Sequence, residues 1–403
     1  MSSFYCGNLG GGAMPTRQRA TAINPLILRW ARERSGMTVA EVAAHFKKAP
    51  DTIEDWESGA DAPTFRQFEQ LAEHLYKRPL AIFFFPSPPE EEDAGSRFRT
   101  LPQSELEALE PDTRYALRQA LAFQESIREL TAGIRASTAL VVRDIRPLPH
   151  EPVEELAGRV RSYLGVSLDT QFSWRGSEDA FKQWRRSVEG VGVFALKRSF
   201  KQNDVFGFCL SDDAFPIIII NNSTAHSRQV FTLFHELAHL LYSVSSITMQ
   251  DMTFIDHLSG RSHDIEVLCN RFAAEFLVPS SSFPWADFRR ASLDSFVRSQ
   301  ATRYNTSREV ILRRLLDRGL VSQGVYQRKS AQWNAEYLNS RQGRAGGNYY
   351  ATHAAYLGET FLRLAFTQYR LGKLSLDELA GHLRIKARNV GRFEDYVVKG
   401  EQA

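Results

Sequence analysis

The sequence predicts an α+β protein: an all-α N-terminal module, a helical linker, a central α+β domain with a small sheet, and a C-terminal helical module. Three observations carry this. Short helical segments with capping signals run from Asn24 to Pro86. Three strand-like runs, GVFAL near Val193, VFGFCL near Phe206 and FPIIII near Ile218, come just before a long apolar helix. Helical spacing then resumes towards the C-terminus. A chain of 403 residues holds two or three domains, and 43% hydrophobic content supports ordinary globular cores.

Residues 1–23 are Gly-rich before Met14, lack a core-forming pattern and read as a disordered tail. From 24 to 86 come PLILRWARERSG, TVAEVAAHFKK, APDTIEDWESG and TFRQFEQLAEHLYKRP. Thr38 and Glu41 form a capping box, Gly36 and Gly59 close helices, and Pro63 with Thr64 restarts the chain. Residues 87–149 open with SPPEEED, a proline and acid linker, followed by a bracing helix over Ser104 to Ala132 that Pro111 should break near its start.

The central domain, 150–335, begins with helices over Val153–Leu164 and Asp179–Val188. The polar KRSFKQND and SDDA between the three strands predict a meander. After Pro279, two helices flank Asn305 with Thr306 or Ser307 as N-cap, and Arg308, Arg313, Arg314 and Arg318 read as a solvated face. SRQGRAGGN, 340–348, is a linker by composition, and 349–403 forms a module with helices Tyr350–Leu371 and Leu376–Leu383.

The stretch Arg228 to Tyr242, RQVFTLFHELAHLLY, carries the chemistry. A helix turns about 100° per residue, so His235 and His239 stack on one face, about 6 Å apart and aimed at one point. Phe231, Leu233, Phe234, Leu237, Leu240 and Leu241 make the helix apolar on nearly every side, which buries it. Glu236 stands beside a ligand, where a carboxylate can serve as general base without closing the coordination sphere. Two histidines and that glutamate describe a zinc peptidase centre, with one Zn2+ per chain.

A catalytic zinc wants a third protein ligand. The predicted helix Asp264–Val278 offers Glu266 and Glu275, nine residues apart and so on opposite sides. Glu266 shares a small polar strip with Asn270 and Ala273 that lets another helix approach, and it is the geometric choice; Glu275 reads as a salt-bridging or capping residue. His257 and His263 lie in the loop QDMTFIDHLSGRSH and are rival ligands; with Tyr242 they are candidates for transition-state or substrate contacts.

The run PIIIIN, then R..F.LFHELAHLL, then E..CN.FAAEFLVP resembles the ImmA/IrrE family of metallopeptidases over about Val191 to Pro279. The resemblance implies a zincin-like peptidase domain, metal ligands at His235, His239 and Glu266, and a general base at Glu236. The N-terminal helices, with WE.G...P, LA..L and the tail RPLAIFFFP, resemble the Xre/Cro-type helix-turn-helix domain fused to such peptidases. On that resemblance the recognition helix runs from about Pro50 to Ser58.

That helix holds Asp51, Glu54, Asp55 and Glu57 and no Lys or Arg, which opposes the main source of affinity for DNA. Lys47 and Lys48, with Arg29, Arg32 and Arg34, are candidates to meet phosphates. A module for homodimerisation, or for gripping a partner repressor, is the other reading.

A formal charge of +3 does not by itself announce a nucleic-acid binder. Cys6, Cys209 and Cys269 are few and scattered, unlike a disulfide frame or zinc ribbon, and point to the reducing cytosol. No apolar run reaches membrane-spanning length and no signal peptide opens the chain. The sequence thus predicts a cytoplasmic zinc endopeptidase and regulator; the resemblance implies a protein substrate, a helix-turn-helix repressor or antitoxin-like partner cleaved in a stress or mobile-element response. The alternative is a DNA-binding regulator or toxin–antitoxin component whose zinc site is not used for turnover.

Overall fold

The computed structural model describes residues 18–91, 109–132, 139–200, 202, 204–249, 260–288, 291–341 and 348–401. The chain divides into two compact units, Met1–Asp93 with Glu107–Tyr115, and Ala94–Leu106 with Ala116–Ala403.

The first unit holds α1 (Pro25–Arg34), α2 (Val39–Phe46), α3 (Pro50–Ser58) and α4 (Phe65–Glu69), the last running on as a wider π turn over Gln70–Leu75. Asn24 caps α1, and the predicted capping box closes α2, with Glu41 N–H donating to Thr38 at 3.2 Å and Thr38 N–H to Glu41 at 2.7 Å. Ile27, Leu28, Val42, Ile53, Trp56 and Phe68 make the core. Ala20 and Ile23 are buried in it and Arg19 bridges to Thr64, so residues 18–23, expected in the tail, belong to this unit.

Glu57 also turns inward, at 3% exposure. Arg32 grips it from α1, through Nε at 2.7 Å and Nη2 at 2.9 Å, and donates Nη1 to the Met37 carbonyl at 3.1 Å. This corrects two expectations: Glu57 is not an acid offered to a partner, and Arg32 braces the fold rather than waiting for a phosphate.

Next comes α5 (Pro111–Thr131), whose first residue is the proline expected to break a helix. At that position the missing N–H has no intrahelical partner to lose.

The second unit continues with α6 (Val141–Asp144), α7 (Val153–Leu164), α8 (Leu168–Ser173), α9 (Gly176–Gly190), β1 (Phe194–Arg198), β2 (Val205–Leu210), β3 (Ile217–Asn221), α10 (His226–Leu241), β4 (Ser246–Met249) and α11 (Gly260–Leu277). The strand order is β1-β3-β2-β4, with β1 parallel to β3 and β2 antiparallel to both β3 and β4. The expected meander is therefore wrong. Every residue of β3 is buried, and a strand with four isoleucines is stable only with neighbours on both sides, so β1 and β2 flank it instead of pairing together.

Helix α10 lies between the sheet and α9 and α11. Its Phe234 stacks on Phe276 of α11, ring centroids 4.0 Å apart, and takes the edge of Trp184 of α9 at 4.9 Å. Gly207 of β2 faces α10: a Cβ there would lie 2.7 Å from Thr232 and 2.8 Å from the Ile219 carbonyl, so only glycine permits this approach.

Beyond α11 come α12 (Trp285–Phe288), α13 (Leu293–Arg303), α14 (Arg308–Asp317), α15 (Gln323–Arg341), α16 (Tyr349–Leu357), α17 (Glu359–Arg370), α18 (Leu376–Leu383) and α19 (Val390–Glu401). Asn305, left-handed at φ 51°, turns the chain between α13 and α14, and Ser307 is the N-cap. The single helix expected over Tyr350–Leu371 is split at Gly358, φ 82°, where the Arg185 guanidinium occupies the space a Cβ would need. Arg185 donates to the carbonyls of Ala355 at 2.7 Å and Tyr356 at 3.5 Å, clasping the end of α16 to α9.

Arg314 also departs from expectation. Rather than joining the solvated face, it is buried and paired with the equally buried Glu275, which also accepts from Ser280 N–H at 2.8 Å and Ser280 Oγ at 2.8 Å. Removing one partner of such a pair strands the other charge. Arg314→Ala is expected to cost about 3–5 kcal/mol in denaturant unfolding. An unchanged midpoint would show the pair to be dispensable.

Candidate metal centre

The apolar sides of α10 and α11 pack together, and the polar residues they share are forced to face one another. His235, His239 and Glu266 are buried at 1%, 0% and 7% exposure, and their ligand atoms all lie within 4.8 Å of one another. Among the described residues they are the one group of three or more His, Cys, Asp or Glu with such spacing. His235 Nε2 stands 3.0 Å from His239 Nε2 and 3.3 Å from Glu266 Oε2; His239 Nε2 stands 3.2 Å from Glu266 Oε1.

These separations test a metal directly. Tetrahedral zinc with bonds of about 2.0–2.1 Å sets neighbouring donors about 3.3 Å apart. The two histidines at 3.0 Å, and the Glu266 oxygens nearest to each of them at 3.3 and 3.2 Å, come close to that spacing. The electrostatics of the trio also ask for positive charge. Burial works against a charged His239, yet Cys269 and Glu266 more than offset it and hold its proton well above the usual imidazole range. Burial also raises the Cys269 thiol, so the charge facing His239 near neutrality is the Glu266 carboxylate. Glu266, against its burial, is pushed far below the usual carboxylate range by His239 and His235. A cation at this point would replace the shared proton.

Glu236, at 0% exposure, stays outside the trio. Ser246 Oγ donates to its Oε2 at 2.7 Å, and Thr248 Oγ1 donates to its Oε1. Both hydroxyls come from β4, which is at one end of the sheet. Strand β4 is hard to see in the sequence because SITM is only four residues long, too short for its alternation to stand out. Asn270 was placed on the right strip but its task was not named: its Oδ1 lies 3.1 Å from His235 Nδ1 and orients the ring.

Of the remaining candidates, Tyr242 is the half-buried C-cap of α10, and His263 lies on the first turn of α11, 40% exposed and paired with Asp264 at 3.3 Å. Neither joins the trio. His257 lies outside the described residues. In the first unit, Arg29, Lys47 and Lys48 are exposed, with Lys48 over the Trp56 ring at 5.8 Å, while Arg34 donates to the Glu91 carbonyl at 3.4 Å. Among the described residues no helix is long and apolar enough to cross a membrane.

Comparison with known proteins agrees with this anatomy. Residues 188–316 match the family model described as IrrE N-terminal-like domain, Peptidase_M78, and residues 27–77 match that of a helix-turn-helix domain. A solved structure titled Mycobacterium tuberculosis transcriptional regulator is similar at 18% identity with a TM-score of 0.28, over 48% of this chain and 51% of that one. The chain thus spans about half the length of that structure, and the likeness is too loose to inform the fold. No curated protein matches. The buried trio lies within the residues that match the IrrE N-terminal-like Peptidase_M78 model, and a helix-turn-helix match precedes it in the chain.

Proposed function

We propose that the protein is a zinc-dependent endopeptidase and regulator that cleaves a protein partner, a helix-turn-helix repressor or antitoxin-like protein, in a stress or mobile-element response. The observation that carries the reading is Glu236, next to His235 but outside the trio, with both carboxylate oxygens held by hydroxyls of β4. A site that merely stores metal has no use for such a carboxylate.

Zinc held by His235, His239 and Glu266 would supply Lewis acidity and bring the pKa of water towards neutrality. Glu236 takes the proton of the attacking water and passes it to the leaving amine. Ser246 and Thr248 hold that carboxylate in one orientation, and Asn270 does the same for the His235 ring. Strand β4, at the end of the sheet and beside Glu236, offers an edge on which an extended peptide can lie by strand addition.

The second reading, a DNA-binding regulator or toxin–antitoxin component without turnover, draws on the same carboxylate being fully buried and satisfied. The helix-turn-helix domain supplies a place for DNA, where the exposed Lys47 and Lys48 favour phosphate and the exposed Asp51, Glu54 and Asp55 oppose it.

Metal analysis of purified protein is expected to find about one zinc per chain. His239→Ala should lose it, Glu266→Gln should weaken it sharply, and Glu275→Gln should keep it; equal zinc in all four proteins would remove the assignment. Asn270→Ala should weaken metal affinity about 10–100-fold.

Glu236→Gln separates the two readings. It keeps size, helix and metal ligands and removes the proton acceptor. Cleavage of a co-expressed partner should fall by about a hundred- to ten-thousand-fold while partner binding persists. An undiminished physiological output would mean that hydrolysis is not the function.

A further inference from the structure

The C-terminal helices follow the local plan of the N-terminal helix-turn-helix at a constant offset from Thr38–Glu57 to Ser375–Glu394, except that where α3 begins at Pro50 the C-terminal segment passes through a 3-10 turn, Ala387–Asn389, before α19. Ser375 and Glu378 form a capping box on α18 as Thr38 and Glu41 do on α2, with the same pair of distances, 3.2 and 2.7 Å. Arg384 closes α18 in the left-handed conformation at φ 55°, as Lys47 closes α2 at φ 53°. The two backbone bonds that follow are also equivalent. Lys47 N–H and Lys48 N–H donate to Ala44 and Ala43; Arg384 N–H and Ile385 N–H donate to Gly381 and Ala380.

The core positions agree as well. Val42 and Ile53 correspond to Leu379 and Val390, and Trp56 to Phe393, all at 2% exposure or less. Glu57 is held by the half-buried Arg32 of α1, and Glu394 by the exposed Arg370 of α17 at 2.8 Å, one position out of register with Arg32. A capping box, a left-handed cap and a buried aromatic in register make one supersecondary unit, two helices joined by a tight turn.

Fold alone does not say what such a unit binds. The surface does, and here the two units part. Where α3 exposes Asp51 and Asp55, the C-terminal unit exposes Arg388, in the 3-10 turn that leads into α19, and Arg392 on the first turn of α19, four residues on. Lys386 is exposed just before them, in place of Ala49. Tyr396, 36% exposed, follows Arg392 by one further turn and extends the stripe. The helix that enters a groove meets the nucleic acid with its N-terminal residues. At that end the first unit is acidic and the second basic.

We propose that residues 359–401 form a second helix-turn-helix, and that its Lys386–Arg388–Arg392 stripe docks on the phosphate backbone of duplex DNA. The acidic α3 is then freed from carrying the affinity for DNA. The inference stands apart from the peptidase chemistry, since no residue of the stripe belongs to the metal centre.

The test uses the full chain and a fluorescein-labelled 30-base-pair duplex of random sequence, read by anisotropy between about 50 and 200 mM KCl. Wild type should bind with a steep loss as salt rises. Arg388→Glu with Arg392→Glu should weaken binding at least about tenfold and lower the salt slope by about two. Arg388→Lys with Arg392→Lys should retain it, because a phosphate contact needs charge rather than a planar fork. Lys47→Glu with Lys48→Glu, in the first unit, should have the smaller effect. Circular dichroism checks the fold of each variant, and Arg388→Gln with Arg392→Gln replaces the reversal if it unfolds, with the same loss expected. The proposal falls if wild type does not bind the duplex, if neutralising or reversing the two arginines leaves binding unchanged, or if Lys47 and Lys48 carry the larger share.

Discussion

Two imidazoles and a carboxylate packed 3.0 to 3.3 Å apart between apolar helices is the constraint on which this protein turns. Polar groups of that kind are costly to bury unless they satisfy one another around a positive charge. Everything close to them serves that end. Phe234 and Phe276 fix the spacing of α10 and α11, Asn270 sets one ring, and Gly207 lets the sheet press against the helix beneath Glu236. The precision of the centre comes from the packing of its dry surroundings as much as from the ligands themselves.

What was legible in the sequence was whatever local chemistry determines. The bounds of α3 and α7 coincide with the reading because a proline opens each and a left-handed glycine closes each. The approach of Glu266 to His235 and His239 followed from helical spacing on two separate segments, since a helix is rigid enough to carry a face over several turns. What was not legible depends on partners far along the chain. Glu57 lies among surface-like acids until Arg32 meets it, and Arg314 looks solvated until Glu275 does. The sheet order was missed for a related reason: turn residues mark where strands end, whereas which strand takes the centre is decided by how much apolar surface each must cover.

Charge placement in the first unit shows how a pair can change the meaning of a helix. With Glu57 withdrawn to hold Arg32, the exposed acids of α3 are Asp51, Glu54 and Asp55, clustered towards one side. The same pairing removes Arg32 from the five basic residues set against them. A tally of charges from composition would record both groups as free, although each is taken up by the other.

The clasp made by Arg185 has a mechanical consequence. It grips the last carbonyls of α16 beside a glycine that admits no side chain, and the next residue back along α9, Trp184, lies edge-on against Phe234, the neighbour of His235. Helix α9 thus touches the C-terminal helices through Arg185 and the ligand-bearing helix α10 through Trp184, at adjacent residues.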